Sequence, residues 1–284
     1  MREALAYAFG SMLCYSLADL LYKRAGASGI RTHHFIAVQA WVFAPTVLAY
    51  GLATRALAFG WTTLWGAAVG ALVFTGFYNF AAALKSGAVS VYAPIFRLNF
   101  IVTAACAIVL LGEPLTLIKG AGLVLATAAA WLLLGARDTA SSASPVQRMP
   151  LLQVVIATLA VGIANLFYKV GLNHGATPQT LLVAQAAIFI TLATTTVWKR
   201  EGHVVPPGAV WRYAPAAALL LVLAFVLLLQ ALARGEASVL VPVAQMGFII
   251  TAIAGFAFFK ESVTVRKIAG LAAALSALVF LAGG

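Results

Sequence analysis

Long apolar runs separated by short polar segments extend over the whole of this chain. We count ten runs, at residues 4–24, 34–53, 61–84, 88–111, 115–135, 151–170, 178–198, 211–233, 236–259 and 264–283. A helix needs about 20 apolar residues to cross the hydrocarbon core of a bilayer, and these runs have about that length. Strands of a membrane β-barrel would alternate polar and apolar positions, which these runs do not do. The pattern therefore predicts an all-α integral membrane protein with ten transmembrane helices.

Composition supports contact with a lipid bilayer. The chain is 63% hydrophobic and only 9% charged, with a mean hydropathy of +1.02. A soluble domain is about half apolar and about one quarter charged. The net charge of +11 would suggest a nucleic-acid partner in a soluble protein. Here the Lys and Arg residues lie between the apolar runs, where they anchor helices at the interfaces, so we predict no nucleic-acid partner.

The two halves of the chain repeat each other. Residues Ala18–Lys23 match residues Ala164–Lys169 at a shift of 146 positions. A shift of 148 aligns Ala83–Leu123 with Ala231–Leu271, and sixteen of these 41 positions are identical. The identities include matched Pro, Glu, Lys and Gly residues, which apolar sequence of low complexity does not readily produce by chance. The repeat therefore indicates a duplicated unit.

The repeat predicts two units of five helices, at residues 1–137 and 151–284, joined by a polar linker at 138–150. Because five is odd, the second unit would enter the membrane from the opposite side. Inverted repeats of this kind recur in secondary transporters, where two opposed units exchange conformations. A duplicated membrane scaffold without transport is the alternative interpretation.

Two motifs occur at matched positions in the halves. The pattern Gly-x-x-Ser-Val-x-x-Pro occupies residues 87–94 and again 235–242, and Glu113 and Glu261 follow these stretches. This layout resembles the drug/metabolite transporter superfamily in its EamA-like branch. The resemblance implies a cavity lined by helices one to four and six to nine, in a bacterial cytoplasmic (inner) membrane protein. It also implies peripheral fifth and tenth helices, with a homodimer through them as one option.

Ionisable groups inside apolar runs are costly and usually face a cavity or a partner. Asp19 lies about one turn inside the first helix, and Lys23 follows four residues later on the same face, so the two can pair. Lys23 and Lys169 end their helices in matched contexts. They either snorkel to the interface or place a charge at each mouth of a cavity.

Arg97 lies in the fourth helix, too deep for easy snorkelling. Its equivalent in the second half is Gln245, and Asn99 follows two residues later. We predict that Arg97 lies in or beside the substrate cavity. The alternative is a buried ion pair with Asp19, and both hold together if the substrate competes for Arg97.

Neutral polar residues inside the apolar runs complete the predicted binding site. They are Tyr22, Gln39, Tyr78, Asn79, Tyr92, Asn165, Tyr168, Gln185 and Gln230. The strongest of these candidates are Gln39 and Gln185, which are repeated mid-helix residues, although helix–helix hydrogen bonding also explains them. Pro94 and Pro242 interrupt matched helices and are predicted gate or kink positions. Gly66 and Gly70 in the third helix predict close helix packing.

The charges near the predicted pathway are three basic groups against one acidic group, which favours an organic anion or a zwitterion as substrate. Arginine binds oxyanions with two parallel hydrogen bonds. The alternative is a proton-coupled drug or cation exporter that uses Asp19. The sequence has no catalytic nucleophile–base pair and no ATP motif, so we predict neither an enzyme nor a cofactor. His33 and His34 fall in a connecting segment and are too isolated to predict a metal site.

Overall fold

The computed structural model describes residues 1–86, 95–134, 148–202, 208–247, 249–250 and 264–283. Over these residues the chain is helical and contains no β-strand. The α-helices are α1 (Arg2–Ala27), α2 (Thr32–Ala53), α3 (Thr63–Ser86), α4 (Asn99–Leu111), α5 (Leu117–Leu134), α6 (Arg148–Asn173), α7 (Pro178–Glu201), α8 (Ala214–Leu232), α9 (Ala237–Gln245) and α10 (Val265–Gly283). A short 3₁₀ helix, Gly208–Arg212, precedes α8.

Seven helices within the described residues are long and apolar enough to cross a membrane. Two further apolar helices, Ile95–Leu111 and Leu117–Leu132, are shorter. The chain is therefore an integral membrane protein, as predicted. The predicted runs at 88–111 and 236–259 lie partly outside the described residues. Tyr92 and Pro94 lie wholly outside them.

Helix α7 shows how local sequence sets the ends of a span. Thr177 is its N-cap, and its side-chain oxygen accepts a hydrogen bond of 3.2 Å from the backbone N–H of Thr180. Pro178 occupies the first turn, where its missing N–H costs nothing. The helix ends at Gly202, whose φ of 71° lies in the left-handed region that glycine adopts without strain. These signals fix where α7 begins and ends, and so where its polar residues lie.

Helices of the first half pack mainly on helices of the second half. Helix α3 packs against α6 and α7, while α8 packs against α1 and α2. Helix α4 packs against α6, and α9 packs against α1. Each helix of the first half has a counterpart five helices later, α1 with α6 and so on. Replacing both helices of one contact by their counterparts gives another of these contacts, so that α3–α6 becomes α8–α1. The pairs α2–α7, α4–α9 and α5–α10 are their own counterparts. The two halves therefore interlock with matched contacts.

Glycines bring α3 unusually close to α7. A Cβ atom added at Gly66 would lie 2.6 Å from the backbone oxygen of Leu181, and one added at Gly70 would lie 2.6 Å from that of Gln185. Real Cβ contacts are longer than this, so larger residues would push the two helices apart. The predicted close packing at these glycines is confirmed, and it holds α3 beside the polar residue Gln185.

Helices α5 and α10 lie at the edge of the bundle, where they pack mainly against each other. Their outer faces carry large exposed apolar residues: Leu117, Val124, Trp131, Val265, Leu275 and Val279. Such a surface is costly in water and stable in contact with lipid tails. This position agrees with the predicted peripheral placement of the fifth and tenth helices.

The prediction that His33 and His34 lie in a connecting segment is wrong. Helix α2 begins at Thr32, so both histidines lie in its first turn, and both side chains are buried. The hydrophobic pattern missed them because a polar first turn looks like a loop when only apolar positions are counted. Helix α6 similarly begins at Arg148, within the polar stretch before the sixth apolar run.

Replacement of Gly70 by alanine should lower the stability of the folded protein. The new methyl group would meet the backbone of α7, and overpacking of this kind costs about 1–3 kcal/mol. The measurement is the melting temperature of the purified protein in detergent. Gly120→Ala is the matched control, because a Cβ atom there meets a single atom at 3.8 Å. Equal melting temperatures for the two variants would contradict the close contact.

Candidate functional site

A narrow cavity lies between α2, α3, α7 and α8 and has room for about one water molecule. Two amide side chains and five apolar side chains line it: Gln39, Phe43, Val73, Phe77, Gln185, Phe189 and Phe225. Within this lining no side chain is charged, and four of the seven are phenylalanines. A ligand in the cavity would therefore meet aromatic walls and amide groups.

The lining of the cavity follows the repeat of the sequence. Six of its residues form three pairs at shifts of 146 or 148 positions: Gln39 with Gln185, Phe43 with Phe189, and Phe77 with Phe225. Each half of the chain thus supplies one amide and two aromatic rings. The cavity lies between matched helices of the two halves, so both halves present it with nearly the same chemistry.

Each cavity amide is oriented by a tyrosine from the neighbouring helix. The hydroxyl of Tyr22 donates a hydrogen bond to Oε1 of Gln39, and the hydroxyl of Tyr168 donates one to Oε1 of Gln185. Each tyrosine takes one acceptor position of the amide oxygen, and each amide also carries an NH₂ group that can donate. These four residues were predicted from the sequence, and the structure brings them together as two equivalent pairs.

Asp19 and Arg97 form an ion pair between Oδ2 and Nη2, which is the alternative that the sequence left open. The side chain of Arg97 is 16% exposed and that of Asp19 is 35% exposed. Loss of one partner from a buried pair leaves an uncompensated charge, which is costly in an apolar bundle. The side chain of Lys23, the other predicted partner of Asp19, lies outside the described part of the chain.

Aromatic residues close in sequence to the ion pair contact the lining of the cavity. Tyr15 lies one turn before Asp19 on α1, and its ring contacts that of Phe225 at a centroid distance of 5.6 Å. Phe96 directly precedes Arg97, and its ring lies 6.2 Å from that of Phe77. Both Phe225 and Phe77 line the cavity. The chain segments that carry Asp19 and Arg97 therefore each contact the cavity lining through an aromatic ring.

Lys169 binds the backbone where α8 ends. Its Nζ donates hydrogen bonds of 2.8 Å to the carbonyl of Leu232 and 2.7 Å to that of Gly235. Leu232 is the last residue of α8, where helix carbonyls lack a partner within the helix, and Gly235 lies in the connection to α9. Lys169 therefore caps a helix C-terminus in this conformation, at a distance from the residues that line the cavity.

Glu113 caps the helix that follows. Its carboxylate oxygens accept hydrogen bonds of 2.8 Å from the backbone N–H groups of Ala237 and Ser238, in the first turn of α9. Gly112, with a φ of 68°, ends α4 directly before it and turns the chain toward α9. A carboxylate at a helix N-terminus satisfies free N–H groups and complements the helix dipole. Glu113 thus joins the first half of the chain to the second.

Lys119 fastens the same connection from α5. It is 1% exposed and forms an ion pair with Glu236, the residue before α9. It also donates a hydrogen bond to the carbonyl of Pro114. The segment between α8 and α9 is therefore held by three charged side chains, and two of them come from the other half of the chain.

The other predicted site residues have partners elsewhere or lie apart from the cavity: Tyr78, Asn79, Asn99, Asn165, Gln230 and Gln245. Asn79 donates to the carbonyl of Thr75, one turn earlier in its own helix, at 2.8 Å. Gln230 accepts a hydrogen bond of 2.6 Å from Arg234. The guanidinium group of Arg200 lies 5.3 Å from the ring centre of Tyr78.

Two asparagines keep a buried polar atom without a hydrogen-bond partner among the described residues. Asn99 donates from Nδ2 to the carbonyl of Phe96 at 2.8 Å, but its Oδ1 has no donor. Asn165, which corresponds to Asp19 in the other half, has no acceptor for its Nδ2. Gln245, which corresponds to Arg97, is also buried. The second half thus carries neutral residues where the first half carries the ion pair.

Pro242 lies inside α9.

Comparison with known proteins agrees with this architecture. The chain matches the EamA-like transporter family over residues 2–135 and again over 148–283. The chain belongs to the EamA-like transporter family. Members of this family are membrane transporters, so a small-molecule substrate and a bilayer are the expected partners. The predicted relationship to the drug/metabolite transporters is confirmed.

Two further proteins are similar to this EamA chain in fold or in sequence. A crystal structure of another protein has a TM-score of 0.81 at 19% identity and covers 99% of this chain and 96% of that chain, which shows a shared fold. An uncharacterized protein of Methanocaldococcus jannaschii is 24% identical over 127 residues, which are 45% of this chain and 91% of the relative. That relative therefore has about the length of one EamA match in this chain.

Sequence reasoning missed the aromatic part of the cavity in this EamA protein. Phe43 and Phe189 lie one turn after the predicted glutamines and share their shift of 146 positions. Phe77 and Phe225 share the shift of 148. The repeat contained this signal, but single aromatic residues in an apolar run look like ordinary packing. A search for repeated aromatics beside repeated amides would have found them.

Replacement of Glu113 by glutamine should destabilise the EamA fold by about 1–2 kcal/mol. Glutamine keeps one acceptor oxygen and places an NH₂ group against a backbone N–H, so one bond of the cap is lost together with the charge. The measurement is thermal unfolding of the purified protein. Glu3→Gln removes a carboxylate that is 69% exposed and serves as the control. An unchanged melting temperature in Glu113→Gln would contradict the capping role.

Proposed function

We propose that this protein is a secondary active transporter of a small organic anion or a zwitterionic metabolite. It crosses the membrane with ten helices arranged as two inverted five-helix repeats and works by alternating access. The helix contacts between the halves support this proposal. When each helix is replaced by its counterpart in the other half, the same set of contacts is obtained. Two opposed units with equivalent contacts can trade conformations and open the cavity to either side in turn.

The ion pair between Asp19 and Arg97 is the observation that carries the proposal for the substrate. On this proposal an oxyanion replaces Asp19 as the partner of Arg97, because its oxygens offer the guanidinium group the same charge-assisted contact as the Asp19 carboxylate. The exchange leaves Arg97 paired throughout, so a buried unpaired arginine never forms. Asp19 is the more exposed partner and is free to take a proton or a cation when it is released.

The lining of the cavity fits the same class of substrate. The NH₂ groups of Gln39 and Gln185 are hydrogen-bond donors, which suit carboxylate or phosphate oxygens. The phenylalanines around them suit the apolar part of an organic molecule. The cavity has room for about one water molecule, so on this proposal it has to widen before substrate enters.

A proton-coupled exporter of cationic drugs is the second candidate. It is favoured by the greater exposure of Asp19, 35% against 16% for Arg97. A cation bound to Asp19 would leave Arg97 without its partner inside the bundle, which is costly. The anion proposal avoids this cost and is therefore preferred. For either substrate we propose a bacterial cytoplasmic membrane, with α5 and α10 as the surface of any homodimer.

The two candidates predict opposite effects of one substitution. In Asp19→Asn an anionic ligand no longer competes with a carboxylate for Arg97, so its affinity should rise about two- to tenfold, whereas a cationic ligand should lose its site. In Arg97→Gln the affinity for the anion should fall about tenfold or more. The measurement is the ligand-induced thermal shift of the purified protein across matched dicarboxylates, amino acids and quaternary amines.

Glu3→Gln and Arg234→Gln are the matched controls, since these residues form an exposed ion pair with a separation of 3.4 Å. Both controls should bind as the unchanged protein does. Stabilisation by anions that survives in Arg97→Gln would exclude Arg97 from the site. Stabilisation by amines alone, lost in Asp19→Asn, would overturn the anion proposal. Ligands that pass the test are then assayed for transport in proteoliposomes.

A further inference from the structure

Three side chains that can ligate a metal meet where α2 begins and α7 ends. His33 Nε2 lies 2.7 Å and His34 Nε2 lies 3.6 Å from the same oxygen, Oε1 of Glu201. The three potential ligand atoms all lie within 4.8 Å of one another. The sequence prediction that the two histidines are isolated is therefore wrong, because Glu201 is 168 positions away from His33 in the chain and next to it in the fold.

We propose that His33, His34 and Glu201 form a binding site for a divalent transition metal of the Zn²⁺ type. Two imidazole nitrogens and one carboxylate are a common ligand set for zinc, with water in the fourth position. Imidazole ligands favour zinc, cobalt and nickel over magnesium and calcium, which take oxygen ligands. A metal bound here links α2 of the first half to α7 of the second.

The distances suit a tetrahedral ion. With metal–ligand bonds of about 2.0–2.2 Å, the ligand atoms of a tetrahedral zinc site lie about 3.3 Å apart. The two nitrogen–oxygen distances in the cluster, 2.7 and 3.6 Å, lie on either side of this value. All three ligand atoms lie within 4.8 Å of one another, so side-chain rotations have to bring them closer to the tetrahedral separation. The ion replaces the proton that lies between His33 and Glu201. That proton is released to water.

Burial distinguishes this cluster from charged groups that merely meet on a surface. His33 and His34 are 8% and 3% exposed, and the side chain of Glu201 is 18% exposed. The histidines are therefore held by packing, while the carboxylate remains reachable from water. All three residues lie on helices, which position ligands more firmly than loops do.

The cluster is not inherited from the repeat. At a shift of 146 positions, His33 and His34 correspond to Gln179 and Thr180, and Glu201 corresponds to Arg55. The corresponding helix ends, where α7 begins and α2 ends, therefore carry a different set of residues from the cluster. The site belongs to one pair of helix ends only, unlike the symmetric cavity.

Arg31 competes with the metal for the carboxylate of Glu201. Its Nη1 lies 2.9 Å from the same oxygen of Glu201, and its side chain is 64% exposed. A metal ion on Glu201 displaces this guanidinium group, which can swing into water. Removal of Arg31 should therefore strengthen metal binding, whereas a cluster that serves only as an ion pair would simply be weakened.

The test uses the full chain with a purification tag that contains no histidine. The parent carries His174→Ala and His203→Ala, so that only the two histidines of the cluster remain of the four in the chain. Co²⁺ is titrated into this parent and followed by the visible absorption of tetrahedral cobalt, and Zn²⁺ is then added as a competitor. We expect one equivalent of Co²⁺ to bind and one equivalent of Zn²⁺ to displace it.

Single substitutions in this parent separate ligation from structure. His33→Ala and Glu201→Gln should each weaken Co²⁺ binding about 100-fold or more, since each removes a ligand. Arg31→Ala should tighten it about two- to fivefold, because an exposed competing charge is lost. Gel filtration reports whether each variant stays folded. Arg31→Ala changes an exposed side chain, so the test remains decisive if a ligand variant unfolds.

Absence of the cobalt absorption in the parent would overturn the proposal. So would binding that persists in both His33→Ala and Glu201→Gln, or binding that Arg31→Ala weakens. None of these measurements requires a transported substrate. Failure of the metal site and failure of the proposed transport function are therefore distinguishable.

Discussion

Polar groups inside this bundle have only protein to bind, because lipid tails offer no hydrogen bonds. This constraint explains the contacts that several charged side chains make. Glu113 binds the free N–H groups where α9 begins, and Lys169 binds the free carbonyls where α8 ends. Asp19 and Arg97 satisfy each other. Because Glu113 belongs to the first half and α9 to the second, its contact satisfies polar groups and also joins the halves.

The residues that sequence reasoning located correctly are those with a local or a repeated signal. Gly66 and Gly70 lie four residues apart on one helix face, and Gln39 and Gln185 share a register in the repeat. The role of Glu113 could not be read from the sequence, since the N–H group that it binds lies 124 positions away. Periodicity shows which face of a helix is apolar, but it does not show which distant helix packs there.

The repeat is preserved in the packing of the cavity and broken at the ion pair of Asp19 with Arg97. The tyrosine–glutamine hydrogen bond occurs in both halves, and so do the aromatic residues of the cavity. The ion pair occurs in one half, because Asn165 and Gln245 stand at the positions that correspond to Asp19 and Arg97. The contacts around the cavity are therefore duplicated, whereas the ion pair is present once within the described residues.

On the proposed mechanism of alternating access, the unrepeated ion pair makes the two halves of the transport cycle differ. A symmetric lining offers a ligand similar amides and rings whichever side of the membrane the cavity opens to. The ion pair lies beside one half only, so the two open states cannot treat it alike. On the proposed mechanism, the substrate competes with Asp19 for Arg97 more effectively in one open state than in the other. The release of Asp19 is then tied to one half of the cycle, and a proton or cation bound there couples transport to a gradient.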